Sequence, residues 1–208
     1  LIGRKGPVAS SLFETGGFWY ADPDARSPDL QFHLGLGTGI EHGVAVMPQG
    51  GVTLNSCYLR PRSRGTVRLQ SADPAKAPLI DPNYLQDPLD REMTIRGLKL
   101  TQEICAQDAL KPYILAERLP GPDVKTDDDY FNFICTHSKT SHHCAGTCRM
   151  GPDEGAVVDT QLRFNGIEGL RIVDNAIMPT VISSNTNAAA IMIAEKASDM
   201  IKANYEME

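Results

Sequence analysis

The strongest constraint on this chain lies between Thr140 and Ile193. That stretch opens with Thr-Ser-His-His-Cys-Ala-Gly-Thr-Cys-Arg-Met-Gly and closes with Ser-Ser-Asn-Thr-Asn-Ala-Ala-Ala-Ile-Met-Ile. The opening sets His142, His143, Cys144 and Cys148 beside Gly146 and Gly151, so reactive side chains and permissive backbone share one loop. The closing run places Asn185-Thr186-Asn187 directly before the apolar residues 188–194, the pattern of a capped helix start. Between them, Leu170 to Val173 is expected as a short strand ending at Asp174, and Met178-Pro179 as a turn. The order is loop, strand, turn, helix.

The preceding residues alternate and turn often. Leu30, Phe32, Leu34 and Leu36 share one face of an expected strand, with Gln31 and His33 on the other, polar face. Short extended segments are also expected at Gly17 to Tyr20, Val44 to Met47, Val52 to Leu59 and Gly65 to Leu69, with Asp81-Pro82-Asn83 as turn chemistry. Asp87-Pro88 opens a helix whose Leu89, Met93, Gly97, Leu100 and Ile104 recur at three- and four-residue steps. Gly97 in its middle points to a close approach of helix to sheet. A second helix follows Thr126, where Asp127, Asp128 and Asp129 are the carboxylates a helix start favours. These elements define an α+β chain, an antiparallel sheet with flanking helices. Residues 1–139 form one part and 140–208 a second.

The blocks carry a resemblance. His143 to Gly151, Val157-Val158-Asp159, Gly169 to Asp174, Met178-Pro179-Thr180 and Asn185-Thr186-Asn187, in this order, resemble the C-terminal signature of the glucose-methanol-choline (GMC) flavoprotein oxidoreductases. Arg60 to Leu69 and Pro78 to Tyr84 resemble the substrate-domain segment of the same family. The resemblance implies a substrate domain over 1–139, followed by the catalytic loop and the last strand and helix of a Rossmann-like FAD domain. It implies oxidation of a CH–OH group, with His143 taking the proton and hydride passing to N5 of FAD. It puts Asn185 at the second active-site position, where the family carries histidine or asparagine. It further implies cofactor contacts from Asp174, Asn175, Asn185, Thr186 and Asn187, and a substrate hydrogen bond from His33. The family more often has alanine or glycine where Asn175 stands.

The chemistry agrees with these assignments. No side chain accepts a hydride, so alcohol oxidation requires a cofactor. Histidine suits the base, since its unperturbed pKa of about 6.5 lets it take a proton near neutrality. The family's Gly-x-Gly-x-x-Gly phosphate loop is not found here. The nearest run, Gly35-Leu36-Gly37-Thr38-Gly39, leads into no helical period and reads as a connection. The chain therefore reads as the C-terminal portion of a longer enzyme, inactive by itself. Its expected partners are an alcohol, the missing N-terminal FAD-binding half, and an electron acceptor, oxygen or a quinone, that the sequence does not choose between.

Other classes fit less well. His137, His142, His143, Cys144 and Cys148 suggest a zinc cluster or a binding module without catalysis, but Cys-x3-Cys within one stretch is not structural-zinc spacing. No metal ligand set is therefore assigned. A net charge of −6 argues against nucleic acid, whose phosphates call for clustered cations. No apolar run approaches the ~18 to 20 residues needed to span a bilayer. Five scattered cysteines do not suggest a disulfide framework, and reduced thiols point to a cytoplasmic location.

Overall fold

A computed structural model describes residues 13–37 and 50–205. They form two compact units, one of 13–37, 50–62 and 85–139, the other of 63–84 and 140–205. Residues 63–84 thus group with the C-terminal part rather than with the remainder of 1–139.

In the first unit, β1 (Phe13–Trp19), β2 (Leu30–Gly35) and β3 (Thr53–Tyr58) make an antiparallel sheet in that order. The register pairs Leu30 with Tyr58, Phe32 with Ser56 and Leu34 with Leu54. A buried carboxylate holds the β1–β2 connection. Asp29 accepts from the Ala21 amide at 2.6 Å and the Asp22 amide at 3.2 Å. Leu30 and Phe32 are buried as expected. Gln31, assigned to a polar face, is buried too, because β2 is the central strand, whereas Leu36, just past the strand end, is 48 % exposed.

Helix α1 (Pro88–Cys105) begins where Asp87 accepts from the Leu89 amide at 2.8 Å, with proline in the first turn. Its Met93 joins Leu30, Phe32 and Ala21 in a core. Gly97 explains the closeness: a methyl there would come within 3.1 Å of both Leu30 Cδ2 and Ser56 Oγ. Helix α2 (Asp127–His137) starts with a full capping box between Thr126 and Asp129. Tyr130 and Ile134 pack with Ile95 of α1, and the Tyr130 hydroxyl donates to Gln102 Oε1 at 2.6 Å.

In the second unit, β4 (Thr66–Arg68) and β5 (Leu79–Asp81) pair antiparallel. Residues 140–186 are mostly irregular yet tied by backbone bonds. Helix α3 (Asn187–Tyr205) lays Ile193 and Ala197 on a core of Val158, Leu162, Ile177 and Met178. The strand expected at Leu170 to Val173 does not form. Arg171 makes an isolated bridge to Arg163, and extended backbone without a ladder partner is not a strand. The strand expected at Val44 to Met47 lies outside the described residues. No described helix is long and apolar enough to cross a membrane.

Candidate active site

The loop that carries His143 bends through conformations most side chains avoid. His142 has φ 60° and Gly146 φ 87°, both left-handed. A Cβ at Gly146 would lie 3.2 Å from the Met178 carbonyl oxygen. Three loop amides then anchor to the 3-10 turn Asn175–Ile177: Gly146 donates to the Asn175 carbonyl at 3.4 Å, Cys148 to Ala176 at 2.9 Å and Met150 to Ile177 at 2.9 Å. The loop is therefore clamped onto the turn that follows Asp174.

This places His143, half-buried, at the start of α3. Its Nε2 lies 2.8 Å from the Asn185 amide nitrogen, and its Nδ1 lies 2.9 Å from Thr186 Oγ1. The Thr186 backbone amide is 3.4 Å from the same Nδ1. A neutral imidazole has one donor and one acceptor nitrogen. The Thr186 hydroxyl can donate to Nδ1 or accept from it, the Thr186 backbone N–H points at the same nitrogen, and the carboxamide of Asn185 pairs with Nε2. Thr186 is only 4 % exposed, and its carbonyl accepts from the Ala190 amide at 2.9 Å, the first turn of α3.

Beside the loop is a cleft of about 370 Å³ lined by Cys144, Thr147, Asp174, Asn175 and Ala190, among others. Asp174 Oδ1 accepts from the Ala176 amide at 2.6 Å, which shapes the turn. Asn175 Oδ1 is buried with no donor among the described residues, an arrangement native interiors seldom leave. A second depression, about 960 Å³, lies around Arg163, Leu170 and Ile201 and contains none of the expected site residues.

The expected residues thus divide. His143, Asn185 and Thr186 touch one another. Asp174 and Asn175 line the cleft, and Asn187 is the exposed first residue of α3. His33 belongs to β2 of the first unit, opposite Gly16 and Asn55, with the Phe13 ring edge-on at 6.2 Å. Sequence reasoning gave Thr186 only a cofactor contact and did not connect its hydroxyl with His143. The adjacency to Asn185 was the available signal. Among the described residues, no three His, Cys, Asp or Glu side chains gather as metal ligands.

Known proteins resemble this chain in sequence and fold. Residues 61–194 match the GMC oxidoreductase family model. The chain is 42 % identical over 205 residues to "Alcohol dehydrogenase [acceptor]" of Pseudomonas putida, covering 98 % of this chain and 37 % of that protein. It is 41 % identical over 199 residues to the mitochondrial choline dehydrogenase of Homo sapiens, covering 95 % and 34 %. Among solved structures, a formate oxidase of Aspergillus oryzae RIB40, studied for modification of its FAD, superposes with a TM-score of 0.87. It is 25 % identical, with 98 % of this chain and 40 % of that one covered. The chain belongs to the GMC oxidoreductase family. It spans about a third of the length of the curated relatives it matches.

Proposed function

We propose that this chain is the C-terminal catalytic portion of an FAD-dependent alcohol oxidoreductase, with His143 as the base. The observation that carries this reading is the His143–Asn185 pair, 2.8 Å apart at the start of α3. A substrate hydroxyl takes the place of the amide at Nε2 and passes its proton there. The Asn185 carboxamide, with two N–H donors, holds the substrate oxygen. His33 is assigned a substrate hydrogen bond.

The cleft fits a cofactor. Asn175 Oδ1 lacks a donor that a cofactor hydroxyl or ring N–H can supply, and the N-terminus of α3 carries roughly half a positive charge suited to an electron-rich ring. Asp174, Asn175, Asn185 and Asn187 are the residues assigned to hold it; the Thr186 side chain, placed with them by the resemblance, meets His143 instead. The FAD, when bound, supplies the hydride acceptor. The remaining contacts come from the N-terminal part that the longer relatives possess. The apolar first turns of α3 support this, since Ile191 and Met192 are 57 % and 58 % exposed on a helix apolar on every side there.

The test is the visible spectrum of the protein from the complete reading frame, recorded anaerobically with primary alcohols added. A flavin spectrum that bleaches supports the reading; a colourless protein, or a coloured one inert to every alcohol, refutes it. His143→Ala in that protein should lower turnover about 10²-fold or more with FAD retained, the scale of a lost general base.

A further inference from the structure

We infer that Thr186 is a positioning residue for His143. Its hydroxyl and backbone N–H hold the imidazole at Nδ1 and so keep Nε2 turned toward Asn185. The inference rests on the proposed role of His143 and adds the question of what keeps that nitrogen presented to the substrate.

Two features of the site answer it. Thr186 is buried, so its hydroxyl has little access to water as an alternative partner. Its Oγ1 is 2.9 Å from Nδ1. A hydroxyl can donate or accept, so the bond is formed with either tautomer. The Thr186 backbone N–H, 3.4 Å away, points at the same nitrogen, so two groups of one residue hold that side of the ring while Asn185 meets Nε2 at 2.8 Å. Once Nε2 receives a substrate proton, the imidazolium is a donor at both nitrogens, and Thr186 Oγ1 accepts from Nδ1–H without moving. The hydroxyl thus holds the ring through the whole proton transfer, whereas the carboxamide must leave Nε2 for the substrate.

The neighbouring backbone keeps Thr186 in place. Its carbonyl accepts from Ala190, so χ1 is the main freedom left to the side chain, and a β-branched residue is stiff there. Serine keeps the hydroxyl and loses the stiffness. Valine keeps the shape and loses the hydroxyl.

The experiment compares Thr186→Val and Thr186→Ser in the complete flavoprotein, reading FAD content, the anaerobic rate of cofactor reduction by alcohol, KM, and the 15N shifts of the His143 ring. The expected result for Thr186→Val is full FAD content, nearly unchanged KM, a 10- to 50-fold slower reduction and a shifted His143 Nδ1 resonance. Thr186→Ser should return to within about threefold of the parent and keep the parent resonance. Reduction at the parent rate in Thr186→Val overturns the inference, as does equal impairment in both variants. Loss of FAD in Thr186→Val also overturns it, because it would make the residue a cofactor contact. The control His143→Asn separates the two levels: if it reduces its cofactor at the parent rate, the reading of His143 as base fails, whatever the ring shifts report.

Discussion

The imidazole of His143 and the carboxamide of Asn185, 42 residues apart in the chain, meet at 2.8 Å. Backbone bonds from the loop to the Asn175–Ile177 turn set one side of that meeting, and the start of α3 sets the other. Asn185→Ala removes the carboxamide without touching the core. Reduction of the cofactor by alcohol should slow about 10- to 100-fold, the scale of a lost orienting contact, with FAD still bound. Stopped-flow traces at the parent rate would take Asn185 out of the reaction.

Gly97 tests the packing of α1 on the sheet. Leu30 is fully buried and cannot retreat from a new side chain at position 97. Gly97→Val adds three carbons where one already meets atoms at 3.1 Å. It should destabilise the fold by about 1–3 kcal/mol through overpacking. A urea midpoint equal to that of the parent would contradict the close approach.

Asp29 makes a similar test of a buried polar group. Asp29→Ala leaves the amides of Ala21 and Asp22 without their carboxylate. An unpaired buried donor costs about 1–3 kcal/mol, so the variant should unfold at measurably lower denaturant. Faster hydrogen exchange should concentrate at residues 19–24, and uniform exchange would argue against a local brace.

Acid should loosen one loop before others. The carboxyl of Asp153 is held down to about 2, first by its hydrogen bond from the Arg149 side chain. A carboxylate with a depressed folded-state pKa contributes fully above its ordinary range. That contribution fades as pH falls through the folded value, here between about pH 4 and 2. Asp153 is exposed and Arg149 partly so, and the effect is local. Protection factors of amides in 149–157 should drop across that window, and Arg149→Met should abolish the drop.

The helices were legible because their ends carry their own chemistry. Asp87-Pro88 and the Thr126/Asp129 box mark their starts, and Gly97 announced a close contact that the structure contains. Strands were legible only where a partner followed. Leu170 to Val173 has strand composition, but no ladder forms beside it, while Leu79–Asp81 pairs with Thr66–Arg68 despite adjoining turn residues. His143 and Asn185 stood out within ordered blocks. The bond between Thr186 and His143 did not, because 43 residues separate its ends and no spacing rule spans such a loop. The donorless oxygen of Asn175 is likewise a property of surroundings, invisible in a string of letters.

His143, Asn185, Thr186, Asp174 and Asn175 all belong to the second unit, while β2, β3, α1 and α2 belong to the first. The described contacts that set the His143–Asn185 pair are thus made within one unit, and a substitution at His33 removes none of them.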